Sequence, residues 1–179
     1  MNQTIKIQYY KSPYGELIIG SFNEQLCLCD WKYRKSRSTI DSRIQKSLKS
    51  EYVEENSDVI QIAISQLEEY FNKQRTQFDI PFLMIGTEFQ KSVWDELLKV
   101  PYGKTASYMD LSKRLNNVNA IRAVASANGA NAISIIIPCH RIIGSNRELV
   151  GYAGGLQAKR KLLELESHLY SPELNFNIE

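Results

Sequence analysis

Residues 135–143 read Ile-Ile-Ile-Pro-Cys-His-Arg-Ile-Ile, so a thiol (Cys139), an imidazole (His140) and a guanidinium (Arg141) sit together inside an apolar stretch. A free thiol has a pKa of about 8.5 and is only a few per cent ionised near neutrality, so it needs an activator to act as a nucleophile. A cysteine among isoleucines is more often a small buried hydrophobe. Two neighbouring groups that carry or accept positive charge favour the thiolate and point instead to chemistry at sulfur. A base one residue along the chain reaches the sulfur directly or through one water. An acid on the far ring nitrogen would fix the imidazole tautomer. Glu166 is the candidate for that acid. It and Glu164 fall in the last turn of an expected helix, where carboxylates are disfavoured by the helix dipole, so one of them needs a partner elsewhere. His168 is the only other histidine. These residues make a Cys/His/Glu thiol site without yet naming a substrate.

The elements that must hold these residues divide the chain in two. In the first half, Ile5, Ile7 and Tyr9 alternate, Ser12-Pro13-Tyr14-Gly15 is a turn signal, and residues 17–22 and 25–31 read as two more strands of an antiparallel meander. Cys27 and Cys29 are two apart and therefore expected on one strand face; core cysteines are a better reading than half a metal site, because no nearby ligands complete a set of four. Residues 32–50 are charged and weakly periodic and read as a loop with a short exposed helix. Ile60, Ala63, Leu67, Tyr70 and Phe71 recur at helical spacing, and Gln77–Pro81 reads as a last strand or an extended linker. A break near Gly86-Thr87 suggests units at 1–84 and 85–168, followed by a tail at 169–179.

In the second half, Thr87 precedes a helix carrying Phe89, Val93, Trp94, Leu97 and Leu98. Ser107 is a good N-cap for a helix over 108–115. A small-residue helix follows over 119–128, with Gly129 at its end. Two short helices across a tight polar turn have the shape of a helix-turn-helix. Small side chains on the second allow close approach either to another helix or to a nucleic-acid groove, with Arg122 reaching in. Residues 144–152 read as a hairpin, Gly154-Gly155 as a loop near another surface, and 157–166 as a helix.

Composition is that of a soluble globular chain, with 43% hydrophobic and 23% charged residues. Three cysteines without framework spacing argue for a reducing, cytoplasmic setting, and no apolar run approaches a membrane span. Residues 82–166 hold 11 basic and 7 acidic residues, while residues 1–81 balance at 11 each. The half with Cys139 thus carries a mild positive excess, weak support for a polyanionic partner.

The ordered blocks Phe89-Gln90, Val93-Trp94, Pro101-Tyr102-Gly103, Ser107-Tyr108, Ile121-Arg122-Ala123-Val124, Asn131, Pro138-Cys139-His140-Arg141, Gly151-Tyr152, Gly154-Gly155 and Leu162-Leu163 with Glu166 resemble the methylated-DNA–protein-cysteine methyltransferases (O6-alkylguanine-DNA alkyltransferases). The resemblance implies an α+β protein: an N-terminal ribonuclease-H-like antiparallel sheet with helices, then a mostly helical helix-turn-helix domain carrying the reactive cysteine. It implies single-use transfer of an alkyl group from O6-alkylguanine in double-stranded DNA to Cys139, by a monomer bound in the minor groove and without cofactor, and leaves O4-alkylthymine open.

By the same resemblance His140 relays the thiol proton and Glu166 orients it. Asn131 holds the turn that bears the cysteine, and Tyr108 donates toward the departing guanine oxygen. Arg122 enters the duplex, with Ala120, Ile121, Ala123, Ser126 and Ala127 along the same helix as DNA contacts. Pro138, Val150, Tyr152, Ala153 and Gly154 form the base pocket. The chain departs from the family pattern at Ala132, where many members have proline, and at Ala153, where some have serine. It has no histidine before His140, so no N-terminal zinc site is expected. Two other classes fit the residues without the resemblance: a thiol hydrolase, which needs turnover and an oxyanion hole, and a helix-turn-helix regulator whose cysteine is structural.

Overall fold

The computed structural model describes residues 3–167; His168 and the expected tail at 169–179 lie outside the described residues. The first half is a four-stranded sheet in the order β3-β2-β1-β4, formed by β1 (Ile5–Ser12), β2 (Gly15–Phe22), β3 (Gln25–Trp31) and β4 (Tyr52–Glu54). The expected meander is present, with β1–β2 and β2–β3 antiparallel. The first turn is closed by the Ser12 hydroxyl, which donates to the Gly15 carbonyl (2.6 Å). The second turns on Asn23 and Glu24, at φ 47° and 60°, the left-handed pair that suits a two-residue hairpin.

Three expectations for the sequence are corrected in this half. The sheet is not wholly antiparallel: β4 joins β1 in parallel. The crossover is the segment read as a loop with a short exposed helix; it forms α1 (Arg37–Leu48), 12 residues long and partly buried. Only Ile40 and Ile44 of this helix are buried, so its periodicity is a single apolar pair in a charged background. Of the two readings of residues 77–81 the linker holds: they form no strand, and Leu26 donates to the Pro81 carbonyl and accepts from the Leu83 amide, both at 2.8 Å. Finally, Cys27 and Cys29 do not share a face. A register shift between Gly20 and Ser21 makes Cys27 the extra residue of a bulge, and a bulge reverses the alternation beyond it. Cys29 packs with Leu17, Ile19 and Leu26, Cys27 with Ile5, Ile7 and Leu28.

The sheet is therefore a middle layer. One face packs on Ile40 and Ile44 of α1. The other packs on Ile60, Ala63, Leu67 and Tyr70 of α2 (Asp58–Phe71), and the same apolar cluster continues through Val93, Trp94, Leu97, Val124 and Ile133 into the second half.

The second half is built on α3 (Glu88–Leu98), α4 (Tyr108–Arg114), α5 (Ile121–Gly129) and α6 (Leu156–Glu166), with two-residue strands β5 (Ala106–Ser107) and β6 (Ile142–Ile143) paired in parallel. Thr87 and Ser107 cap α3 and α4 as expected, each in a reciprocal capping box, with Gln90 and with Asp110. The buried Trp94 donates its indole N–H to the Ala127 carbonyl (2.8 Å), fixing α5 on α3. Residues 144–152 make no hairpin: a short turn closes where the Gly144 amide donates to the Glu148 carbonyl (2.9 Å).

The outer margin of β3 joins the halves. The Cys29 amide donates to the Ala132 carbonyl (2.9 Å), and the Ser134 amide donates to the Cys29 carbonyl (2.6 Å). Beside them lies Asp30, with no exposed surface. It accepts from Arg34 and Arg37 (2.9 Å each) and from the Ser134 hydroxyl (3.1 Å). Arg34 reaches on to the carbonyls of Gly129 and Asn131, and Arg43 donates to that of Ala130 (2.8 Å). Two arginines of the first half thus hold the carbonyl end of α5, where cations are favoured. Removing one partner of a buried ion pair strands the other charge. Asp30→Ala is expected to lower unfolding free energy by about 3 kcal/mol, measured by urea denaturation at neutral pH.

Candidate active site around Cys139

The apolar run before Cys139 is not the strand its composition suggests. Residues 133–137 form a tight turn in which Ile137 donates to the Ile133 carbonyl (2.9 Å) and Ile135 takes φ 72°. A β-branched residue in the left-handed region is strained and persists only where its surroundings over-determine it. Asn131 supplies that determination: its Oδ1 accepts from the Ile133 amide and its Nδ2 donates to the Ile137 carbonyl, both 2.9 Å. One residue after the cap of α5, it ties the end of that helix to the turn that bears the cysteine.

Cys139 opens a single 3-10 turn over Cys139–Arg141 and is 3% exposed. Burial raises its pKa, while a hydrogen bond from the Asn131 side chain and the charges of Lys159 and Arg34 pull it down; the net shift is upward. The resting sulfur is a thiol.

His140 has no exposed surface, and its Nε2 lies 2.7 Å from Glu166 Oε1. Glu166 is the partnered acid of α6. It also accepts from Arg141 through Nε (2.9 Å) and a terminal nitrogen (3.0 Å), and from the Tyr70 hydroxyl (2.7 Å). Burial raises its pKa, but His140 and Arg141 outweigh that and hold it well below the carboxylate range. For His140, burial pushes the pKa down, Glu166 opposes it, and the net shift is downward. The pair is a carboxylate with a neutral imidazole, so Nε2 carries the ring proton toward Glu166 and Nδ1 keeps a free lone pair. Nδ1 is buried without a partner among the described residues.

A cavity of about 170 Å3 opens on Cys139, with Tyr108, Asn128, Asn131, Tyr152, Ala153 and Arg34 among its walls. Tyr108 is raised to about 12 by burial and by Cys139, against a hydrogen bond from Asn128, so its hydroxyl stays protonated near neutrality. Of the expected pocket residues, Tyr152 and Ala153 line this cavity. Pro138, Val150 and Gly154 do not line it: Pro138 leads into the cysteine turn, Val150 is exposed with its carbonyl held by Lys159 Nζ (2.8 Å), and a Cβ on Gly154 would lie 2.5 Å from the Trp31 indole. On α5, Arg122, Ala123 and Ser126 are exposed and Ala120 and Ile121 half-buried, making one outward surface. Ala127 does not share it; it is 3% exposed and packs in the core.

Four side chains at the site were not among the expected residues. Arg34 left no signal, since its segment reads as a charged loop. Tyr70 reads as core. Asn128 reads only as the end of a helix. Lys159 did leave one: it stands three residues before Leu162 and seven before Glu166, on the buried face of α6. It is wholly buried, donates to the carbonyls of Val150 and Gly151 (2.8 and 3.3 Å), and burial lowers it to about 8. No group of three or more metal-ligating side chains occurs among the described residues.

Fold and site together define a two-domain protein with a buried thiol–imidazole–carboxylate array beneath a helix-turn-helix. Residues 5–84 match the family described as 6-O-methylguanine DNA methyltransferase, ribonuclease-like domain, and residues 88–168 its DNA binding domain. The chain is 42% identical over 160 residues to the methylated-DNA–protein-cysteine methyltransferase of Mycobacterium leprae (88% of this chain, 89% of the relative). It is 40% identical over 158 residues to that of Methanosarcina acetivorans (88% and 95%). The crystal structure of Mycobacterium tuberculosis OGT in complex with DNA aligns with TM-score 0.78 at 36% identity, covering 90% of this chain and 92% of that one. The chain belongs to the methylated-DNA–protein-cysteine methyltransferase family.

The His140–Glu166 pair gives stability an acid limb. The folded pKa of His140 lies below its unfolded value of about 6.5, so the unfolded chain binds more protons as pH falls past that value. The stability is complete above about pH 6.5 and erodes below it; Glu166 adds to the loss below its unfolded pKa of about 4.3. Urea midpoints are expected to fall from pH 7.5 to pH 5, and His140→Asn to flatten that fall.

Proposed function

We propose that this protein repairs DNA by moving the alkyl group of an O6-alkylguanine onto Cys139, once per molecule. Residues 85–168 act as the DNA-binding and alkyl-acceptor unit, residues 1–84 support it, and a monomer works in a reducing, cytoplasmic setting. The observation that carries the reading is the buried Nδ1 of neutral His140: an unpaired base beside a thiol, its other nitrogen fixed on an ionised carboxylate. Nδ1, which makes no hydrogen bond to the sulfur, takes the thiol proton through one water, and Glu166 stabilises the imidazolium that forms. The thiolate attacks the alkyl carbon. A carbon–sulfur bond forms, the carbon–oxygen bond to O6 breaks, and guanine leaves with the electron pair. Tyr108, still protonated, donates toward that oxygen, and the thiol's proton ends on the released base. Thiol and substrate supply every atom of this balance, so no cofactor enters. The product is a thioether, which water does not readily hydrolyse.

A base inside a duplex is out of reach of a buried sulfur, so it must be extruded, at a cost of a few kcal/mol. The outward surface of α5 lies in the minor groove, where small residues allow close approach and Arg122 fills the space left by the flipped nucleotide.

A duplex carrying O6-methylguanine is expected to raise the intact protein mass by one methyl group, located on Cys139, with no second addition. Cys139→Ala should take up none. Repeated turnover on esters or amides would favour a thiol hydrolase, and sequence-specific binding that survives Cys139→Ala without transfer would favour a regulator. Arg122→Ala is expected to slow transfer from duplex by about tenfold or more, since each 1.36 kcal/mol is about tenfold in rate. The rate with free O6-benzylguanine, which needs no extrusion, should be unchanged.

A further inference from the structure

The two oxygens of Glu166 are loaded unequally. Oε2 accepts from Arg141 Nε (2.9 Å) and is approached by the Gly103 amide at 3.4 Å. Oε1 accepts from a terminal nitrogen of Arg141 (3.0 Å), from His140 Nε2 (2.7 Å) and from the Tyr70 hydroxyl (2.7 Å). An ionised carboxylate offers about two lone-pair sites on each oxygen, so Tyr70 and His140 draw on the same electron density. Tyr70 comes from α2, in the half of the chain that supports the alkyl-acceptor unit, and stands 96 residues from the acid in sequence. It has no exposed surface. Its ring lies edge-on to Phe71 and Tyr102, with centroids 5.4 and 6.2 Å apart. Burial and the adjacent anion push its own pKa well above the ordinary phenol value, so it remains a donor.

Packing alone does not require this hydroxyl, since phenylalanine fills the same space less one oxygen, and Arg141 already neutralises the acid. What the hydroxyl adds is a hydrogen bond to the charged form of Glu166, which favours the anion and lowers its affinity for protons. The same bond weakens the pull of Oε1 on the imidazole N–H, and with it the basicity that Glu166 lends to Nδ1. We propose that Tyr70 is a positioning residue of the alkyl-acceptor site: by holding Oε1 from the first half, it restrains the basicity of His140, so that the imidazole rests neutral with Nδ1 open to the thiol proton. The inference rests on the alkyl-transfer reading above and gives helix α2 a part in its chemistry. The other charged or titratable groups around the pair are Cys139 and Arg141 in the cysteine turn, Lys159 on α6, Tyr152, whose ring is 6.4 Å from the imidazole, and Tyr102 beside Glu166. Removing one phenol oxygen alters none of them.

The test uses the full chain with two changes at this position: Tyr70→Phe, which removes the donor, and 3,5-difluorotyrosine in place of Tyr70, a stronger donor of nearly the same shape. The first readout is the titration of the His140 ring nitrogens by 15N NMR; the chain has two histidines, and His140→Asn assigns the signals. Tyr70→Phe is expected to raise the His140 midpoint by about half a pH unit or more, and the fluorinated side chain to lower it. The second readout is the rate of transfer from free O6-benzylguanine against pH. Transfer needs the neutral imidazole, so the rate falls as pH drops through the folded pKa of His140, and in Tyr70→Phe that fall should begin at higher pH. At about pH 8 the phenylalanine variant should match or exceed wild type, because a stronger base takes the thiol proton more readily. Lost packing alone would lower the rate by one factor at every pH and leave the titration in place. That result, or a His140 midpoint that neither change moves in the stated direction, overturns the proposal; should the phenylalanine variant not fold, the fluorinated one decides. Absence of transfer by wild type would instead defeat the alkyl-transfer reading, while the NMR titration would still decide whether Tyr70 governs His140.

Discussion

The site depends on one buried anion. Glu166, 1% exposed, gathers His140 and Arg141 from the turn after the cysteine and Tyr70 from α2. The Gly103 amide also approaches its Oε2, at 3.4 Å. A lone carboxylate in such a place would protonate or force the structure open. Here the fixed guanidinium, in forked contact, keeps it charged, and the charge sets the tautomer of the imidazole. The backbone is fitted around it: Gly103 takes φ 73°, and a Cβ there would lie 2.9 Å from the Glu166 carbonyl. Arg141 closes the arrangement by donating to the Val100 carbonyl (2.7 Å). The acid does not touch the sulfur, yet three separate segments meet on it, and the resting proton distribution of the site follows from its ionisation.

The first half serves the same end from the other side. Asp30 is the second buried anion, and its arginines carry the sheet's influence to the carbonyls that end α5. The helix with the outward small-residue surface is thereby braced at the end nearest the thiol. Arg34 also stands in the cavity wall, so the boundary between a supporting and an acting half does not run cleanly through the pocket.

How much of this was legible in the sequence varied with the physics. Capping residues speak locally, and Thr87 and Ser107 could be read as helix starts without knowing what the helices pack against. The acid misplaced at the end of α6 announced a missing partner, because a carboxylate against a helix dipole is a local contradiction; which of Glu164 and Glu166 held it, and that Arg141 and Tyr70 shared it, depended on contacts across the fold. Helix α1 was legible only as something short and exposed, because two isoleucines in a charged stretch give no sustained period. The Ile135–Ile137 run is β-branched, which favours a strand, and the bracketing amide of Asn131, which overrules that preference, acts over six residues. The bulge at Cys27 left no mark in an alternation that otherwise predicts one shared face.

The bridges along β3 have a further consequence, for self-association. An unpaired sheet margin is a template for a strand from another molecule. On this sheet the β3 margin is already engaged, by residues 81–83 near Leu26 and by residues 132–134 near Cys29. The opposite margin is β4, only three residues long and ending in Glu54, with Glu51 and Glu55 on either side. The contacts that orient the alkyl-acceptor half therefore also seal one side of the sheet, while brevity and negative charge guard the other.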